Sequence, residues 1–187
     1  MDARALEGGF ADPAIGAALA FRAVLEAMSR PGSVQQAAGS RPPKPLGIAA
    51  GAVALTLCDH DTSIWLAPEL AGQDVRDWFA FHTGAPLVDR PAARFAFGSW
   101  EAMRPVSDFA IGSSEYPDRS ATLVVEVADL GVQHRLTGPG IQTFAQATVP
   151  DPAVFAENHV LFPLGWDAIL TCGDRIVGLP RTTRVEV

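Results

Sequence analysis

Lysine is nearly missing from this sequence. Of fourteen basic residues thirteen are arginine, and the single lysine, Lys44, lies between Pro43 and Pro45. An enzyme that holds pyridoxal phosphate needs a desolvated, well-positioned lysine amine for the Schiff base. A proline-flanked connector does not supply one, so this cofactor is expected to be absent. Cysteine is almost as scarce. Cys58 and Cys172 each end an apolar run, and neither has a C-x-x-C partner. The spacing excludes a zinc motif, and without a sign of an oxidising compartment both are expected to be reduced, buried and structurally passive.

Positive charge is the scarcer sign. Fourteen basic residues face twenty-one acidic ones, for a net charge of −7 and an isoelectric point near 5.0. No basic stripe is present, which excludes the usual footprint of a nucleic-acid binder. Long apolar runs are missing too. The longest, Leu46 to Cys58, is interrupted by Gly47 and Gly51, whereas a membrane span needs roughly twenty residues. The first residues carry mixed charge at Asp2, Arg4 and Glu7, not the pattern of a targeting peptide. The expectation is a cytoplasmic protein that contacts neither nucleic acid nor membrane.

What is present is apolar. Hydrophobic residues make up 48% of 187 and charged residues only 19%, against about 25% charged in ordinary soluble domains. Mean hydropathy is +0.17. A chain of this size folds as one domain, 1–187, without a disulfide or metal staple. The low charge fraction implies that part of its surface is covered by other protein, most simply by a second copy in a closed homodimer.

Asp12-Pro13 is a helix start, an N-cap followed by proline at the first helical position. The helix is expected to run to Ser29 and to stop at Arg30-Pro31-Gly32. Its apolar arc includes Ile15, Leu19, Phe21, Leu25 and Met28, with Arg22 and Glu26 at the edge. Segments 52–58 and 63–67 are expected as two strands around the turn Asp59-His60-Asp61-Thr62. Val75, Trp78, Phe79 and His82 lie at helical spacing. Segments 93–97 and 121–128 read as strands, the second buried on both faces, with 133–140 as its hairpin partner. Asp151-Pro152 opens another helix, ending about His159. Segments 168–172 and 175–180 form a hairpin with a two-residue turn, and 184–187 closes the chain. Strands mixed with helices predict an α/β fold with a mixed sheet.

Polar clusters are sparse. Asp59 and Asp61 stand on one side of an extended stretch and together suit a hard cation, but no further acid lies nearby, and a turn capped by aspartate is the simpler reading. Gly138-Pro139-Gly140 lacks the third glycine and the helix start of a dinucleotide fingerprint. Neither G-x-x-x-x-G-K-[ST] nor G-x-S-x-G occurs. His82 lies on an apolar helix face as a core histidine would, and His60, His134 and His159 lack metal-ligand spacing. Arg181-Thr182-Thr183-Arg184 is the most anion-friendly segment. It reads equally well as a charged edge strand.

Several stretches in order resemble one family. They are Ala20-Phe21-Arg22 with Glu26-Ala27-Met28-Ser29-Arg30-Pro31-Gly32, then Leu55-Thr56-Leu57-Cys58-Asp59-His60-Asp61-Thr62 and Phe81-His82-Thr83-Gly84-Ala85-Pro86. Leu136-Thr137-Gly138-Pro139-Gly140, Phe162-Pro163-Leu164-Gly165-Trp166-Asp167 and Pro180-Arg181-Thr182-Thr183-Arg184 complete the set. From about residue 20 onward the chain resembles the PhnH subunit of the bacterial carbon–phosphorus lyase system. The resemblance implies a three-layer sandwich similar to the large domain of pyridoxal-phosphate-dependent transferases, without that cofactor. It implies a complex with PhnG, PhnI and PhnJ that uses ATP and an alkylphosphonate to form alpha-D-ribose 1-alkylphosphonate 5-triphosphate. It carries over no catalytic residue, and the subunit is expected to be a non-catalytic part of the assembly. Arg22, Asp59, Asp61, His82, Arg181 and Arg184 remain candidates for ligand binding or interface contact. The runner-up expectation is a component that binds nucleotide or phosphonate directly.

Overall fold

The computed structural model describes residues 7–186. Helix α1 (Pro13–Ser29) starts and stops where the sequence places it, with the Asp12 carboxylate accepting from the Ile15 N–H. After it come β1 (Val34–Gln36), α2 (Ile48–Leu57), β2 (Ile64–Leu66), α3 (Gln73–His82), β3 (Phe95–Ser99) and the short α4 (Trp100–Met103). The second half contains β4 (Thr122–Glu126), β5 (His134–Thr137), β6 (Ala145–Ala147), α5 (Pro152–Val160), β7 (Asp167–Cys172), β8 (Arg175–Leu179) and β9 (Arg184–Val185).

Six strands form a mixed sheet in the order β1-β8-β7-β4-β3-β2. β2, β3, β4 and β7 run parallel, while β8 and β1 are antiparallel to their neighbours. The β7–β8 hairpin turns on Gly173-Asp174, with Gly173 at φ 61°, a conformation that suits glycine. Side chains alternate across the sheet. Phe97, Val124, Ile169 and Ile176 join α1, α2 and α3 on one face. Leu123, Val125, Leu170 and Val177 meet Trp100, Phe155 and Trp166 on the other. There a small second sheet, β6-β5-β9, packs beside α5.

Two expectations are corrected. Segment 52–58 is not a strand: residues 52–57 belong to helix α2 and Cys58 is its C-cap. Its alanines are the strongest helix formers, and the run is buried nearly all round, so it lacks the periodicity that separates a helix from a core strand. Asp59 to Thr62 therefore joins a helix to β2 and is not a hairpin turn. Segment 133–140 does not pair with β4. Both edges of β4 are taken by β3 and β7, and β5 instead pairs with β6 and β9.

Helix α1 presents its apolar side chains in an unusual way. Ala20, Ala23, Val24 and Ala27 are the buried residues. Ile15, Leu19, Phe21 and Leu25 face outward at 60%, 65%, 52% and 56% exposure. The reason lies in β8. A Cβ on Gly178 would sit 2.5 Å from the Ala27 carbonyl oxygen, so helix and sheet approach at backbone distance. Only small side chains fit between them. An amphipathic helix normally turns its large apolar residues to the core; here the core side is alanine and the large residues are left outside.

Candidate functional site

The six candidate residues occupy separate places. Arg22 is exposed on the outer face of α1, among Ile15, Leu19 and Leu25. Asp59 and Asp61 lie in the exposed loop after α2. One Asp59 oxygen accepts from the Thr62 hydroxyl at 2.7 Å and from the Asp61 N–H at 3.0 Å. Those bonds, the Thr62 hydroxyl first, hold its carboxyl below the usual range. This is a side-chain-capped turn, and the described residues contain no cluster of three or more potential metal ligands. His82 ends α3 with its ring 5.0 Å from Trp78, and its Nε2 lies 3.1 Å from the Glu7 carbonyl oxygen.

The structure draws the two C-terminal arginines toward one histidine. Arg181 is largely buried. It forms a two-pronged ion pair with Asp167 (Nη2 to Oδ2 2.5 Å, Nε to Oδ1 3.1 Å) and donates to the Ser120 hydroxyl and the Pro117 carbonyl. Its guanidinium is thereby committed to joining three loops. Arg184, on β9, is exposed, and its Nε–H donates to His159 Nε2 at 3.0 Å. His159 Nδ1 in turn lies 3.1 Å from the Arg181 carbonyl oxygen. A cavity of about 370 Å³ opens beside this pair, lined by Thr137, Gly138, Pro139, His159, Phe162, Thr182 and Arg184.

A second, smaller cavity of about 130 Å³ sits at the carboxyl ends of β3 and β4, where ligands commonly bind in parallel sheets. Glu69, Ser99, Glu126 and Gly47 are among its lining residues. Burial pushes Glu69 upward, but hydrogen bonds from the Ser99 N–H, from its own backbone N–H and from the Ser99 hydroxyl together outweigh burial and hold it below the usual value, the two Ser99 bonds both being 2.9 Å long. Glu126 differs. Burial raises it, and the bond from Thr171 at 2.8 Å offsets only part of the rise. Glu69 is spent on orienting Ser99, which caps α4. Sequence reasoning passed over Glu69, Glu126 and Asp167 and set His159 aside for want of metal-ligand spacing, because each partner is far away along the chain. The sulfur atoms are no part of either cavity. Cys58 and Cys172 are free thiols, but only Cys58 is buried as expected: Cys172, at the end of β7, is half-buried and its thiol donates to the Ala128 carbonyl at 3.3 Å, while burial, then the Asp59 charge, pushes Cys58 up to about 12.

The model of the bacterial phosphonate metabolism protein (PhnH) family matches residues 8–186. The chain belongs to the PhnH family. It is 46% identical over 189 residues to the alpha-D-ribose 1-methylphosphonate 5-triphosphate synthase subunit PhnH of Rhizobium meliloti (strain 1021), a match covering 96% of this chain and 94% of that relative. It is 32% identical over 179 residues to the HtxG protein of Stutzerimonas stutzeri, whose name includes the words C-P lyase subunit, with 90% and 85% covered. The PhnH match begins before α1 and ends just past β9, so it takes in the outer face of α1 and the Arg184–His159 pair alike. No described helix is long and apolar enough to cross a membrane.

Proposed function

We propose that this chain is a non-catalytic assembly subunit of the carbon–phosphorus lyase core complex. There it serves the formation of alpha-D-ribose 1-alkylphosphonate 5-triphosphate from ATP and an alkylphosphonate. Its partners are a second copy of itself and the subunits PhnG, PhnI and PhnJ, in the cytoplasm. The name of the Rhizobium relative, a synthase subunit, supports the role. The observation that carries it is the outer face of α1, where four large apolar side chains are more than half exposed on one helix. A monomer rarely leaves such a row open.

The second copy suits this face because the face is self-complementary. Arg22 and Glu26 both lie on it, so two α1 helices packed antiparallel about a two-fold axis set each arginine against the other's glutamate. The non-catalytic part is supported by what the polar candidates do. Asp59 caps a turn, and Arg181 is bound by Asp167 and Ser120. The fold reading is a single domain over 1–187, a three-layer sandwich similar to the large domain of pyridoxal-phosphate-dependent transferases and without a cofactor of its own. The helical face and the mixed helix-and-sheet face on either side of the six strands support it. The purified chain, given ATP and methylphosphonate, is expected to release no adenine. Release that is abolished by His82→Ala or Asp59→Ala would overturn the non-catalytic reading.

A further inference from the structure

Among the described residues, the cavity beside β9 is lined without a single carboxylate, although the chain carries twenty-one acidic residues. Its one cation, Arg184, is oriented from behind. Because the Arg184 Nε–H donates to His159 Nε2, that nitrogen holds a lone pair, and the ring proton sits on Nδ1, facing the Arg181 carbonyl. One edge of the guanidinium is thus anchored. Its two terminal nitrogens have no ion-pair partner among the described residues. Thr137 and Thr182, each with a hydroxyl to offer, line the same space, and Phe162 borders it with 57% of its surface exposed.

These groups match one ligand chemistry. A planar, donor-only guanidinium with two hydroxyl donors suits a tetrahedral oxyanion. The exposed phenyl ring beside them suits an apolar substituent on that anion. We propose that this cavity binds a phosphoryl dianion, either a phosphate monoester or an organic phosphonate, with the organic group resting on Phe162. Arg184 grips the anion, Thr137 and Thr182 donate to its remaining oxygens, and His159 positions the arginine. The site does not depend on the assembly role, since an isolated chain contains all of it.

Isothermal titration of the full chain with phenyl phosphate, phenylphosphonate, inorganic phosphate and phenol tests this. Hydrogen bonds to charged groups are strong enough that Arg184→Gln should weaken binding on the order of tenfold or more. Thr182→Val should weaken it by a smaller factor, and Arg30→Gln, at the exposed end of α1, should leave it unchanged. Inorganic phosphate should bind more weakly than either phenyl compound, and phenol should not bind. Preference for phenyl phosphate assigns the site to monoesters, and preference for phenylphosphonate assigns it to phosphonates. No saturable binding of either phenyl compound would overturn the proposal. So would binding that is unchanged in both Arg184→Gln and Thr182→Val, each shown to be folded by circular dichroism.

Discussion

Arg181 joins the strand end at Asp167 to Ser120 and to the carbonyls of Pro117 and Pro163. Removing one member of a buried ion pair strands the other, at a cost of about 3 kcal/mol. Asp167→Asn and Arg181→Ala should each lower the urea midpoint by a corresponding amount, with the slope unchanged. A loss below about 0.5 kcal/mol, the size of an exposed pair, would show the pair to be ornamental. Glu126 gives the opposite sign. Burial raises its folded-state pKa above the ordinary 4.5, so the folded protein holds that proton more tightly than the unfolded chain. The resulting stability is complete below the unfolded value and is lost as pH rises through the folded one. Glu126→Gln should therefore raise the urea midpoint at pH 7.5 and leave it unchanged at pH 4. A lower midpoint at pH 7.5 would contradict this. The sequence shows that Arg181 and Arg184 are rich in donors. It does not show that one is consumed by Asp167 while the other is steered by His159, 25 positions earlier, because both partners arrive only through the fold.

Helix α1 was the most legible element in its ends and the least legible in its orientation. The Asp12-Pro13 start and the Arg30-Pro31-Gly32 stop are local chemistry and can be read directly. Which side faces the sheet depends on Gly178, which is more than a hundred residues away. Gly178→Ala should therefore be costly, about 1–3 kcal/mol, since its Cβ has no room against the Ala27 backbone. Thermal unfolding of the variant should show the loss, and an unchanged midpoint would mean that helix and sheet have slack. Helix α2 was missed for a different reason. A run of alanine, valine and leucine buried all round has no polar face to set its period, so alternation and helical spacing fit it equally well. The hairpin β7–β8 was legible because Gly173-Asp174 carries its own turn chemistry. The partners of β5, β6 on one edge and the distant β9 on the other, were not, because which edges remain open is decided by the rest of the fold.

At the scale of the whole molecule, a small-residue stripe faces inward and a row of large apolar residues faces outward on the same helix. That inversion is the physical basis for reading the chain as a subunit. It also explains the low charge fraction, which was visible in the composition before any element could be placed. The deciding measurement is co-purification from cells co-expressing the tagged chain with PhnG, PhnI and PhnJ, comparing the unaltered chain with Leu19→Glu/Leu25→Glu. Both substitutions lie on the exposed face, so the variant should fold with an unchanged circular dichroism spectrum. The account predicts that the unaltered chain carries its partners through the column as a dimer, and that the folded variant, whose α1 face no longer accepts a second copy, fails to assemble in full. A folded variant that still assembles in full would contradict it, as would an unaltered chain that brings down nothing.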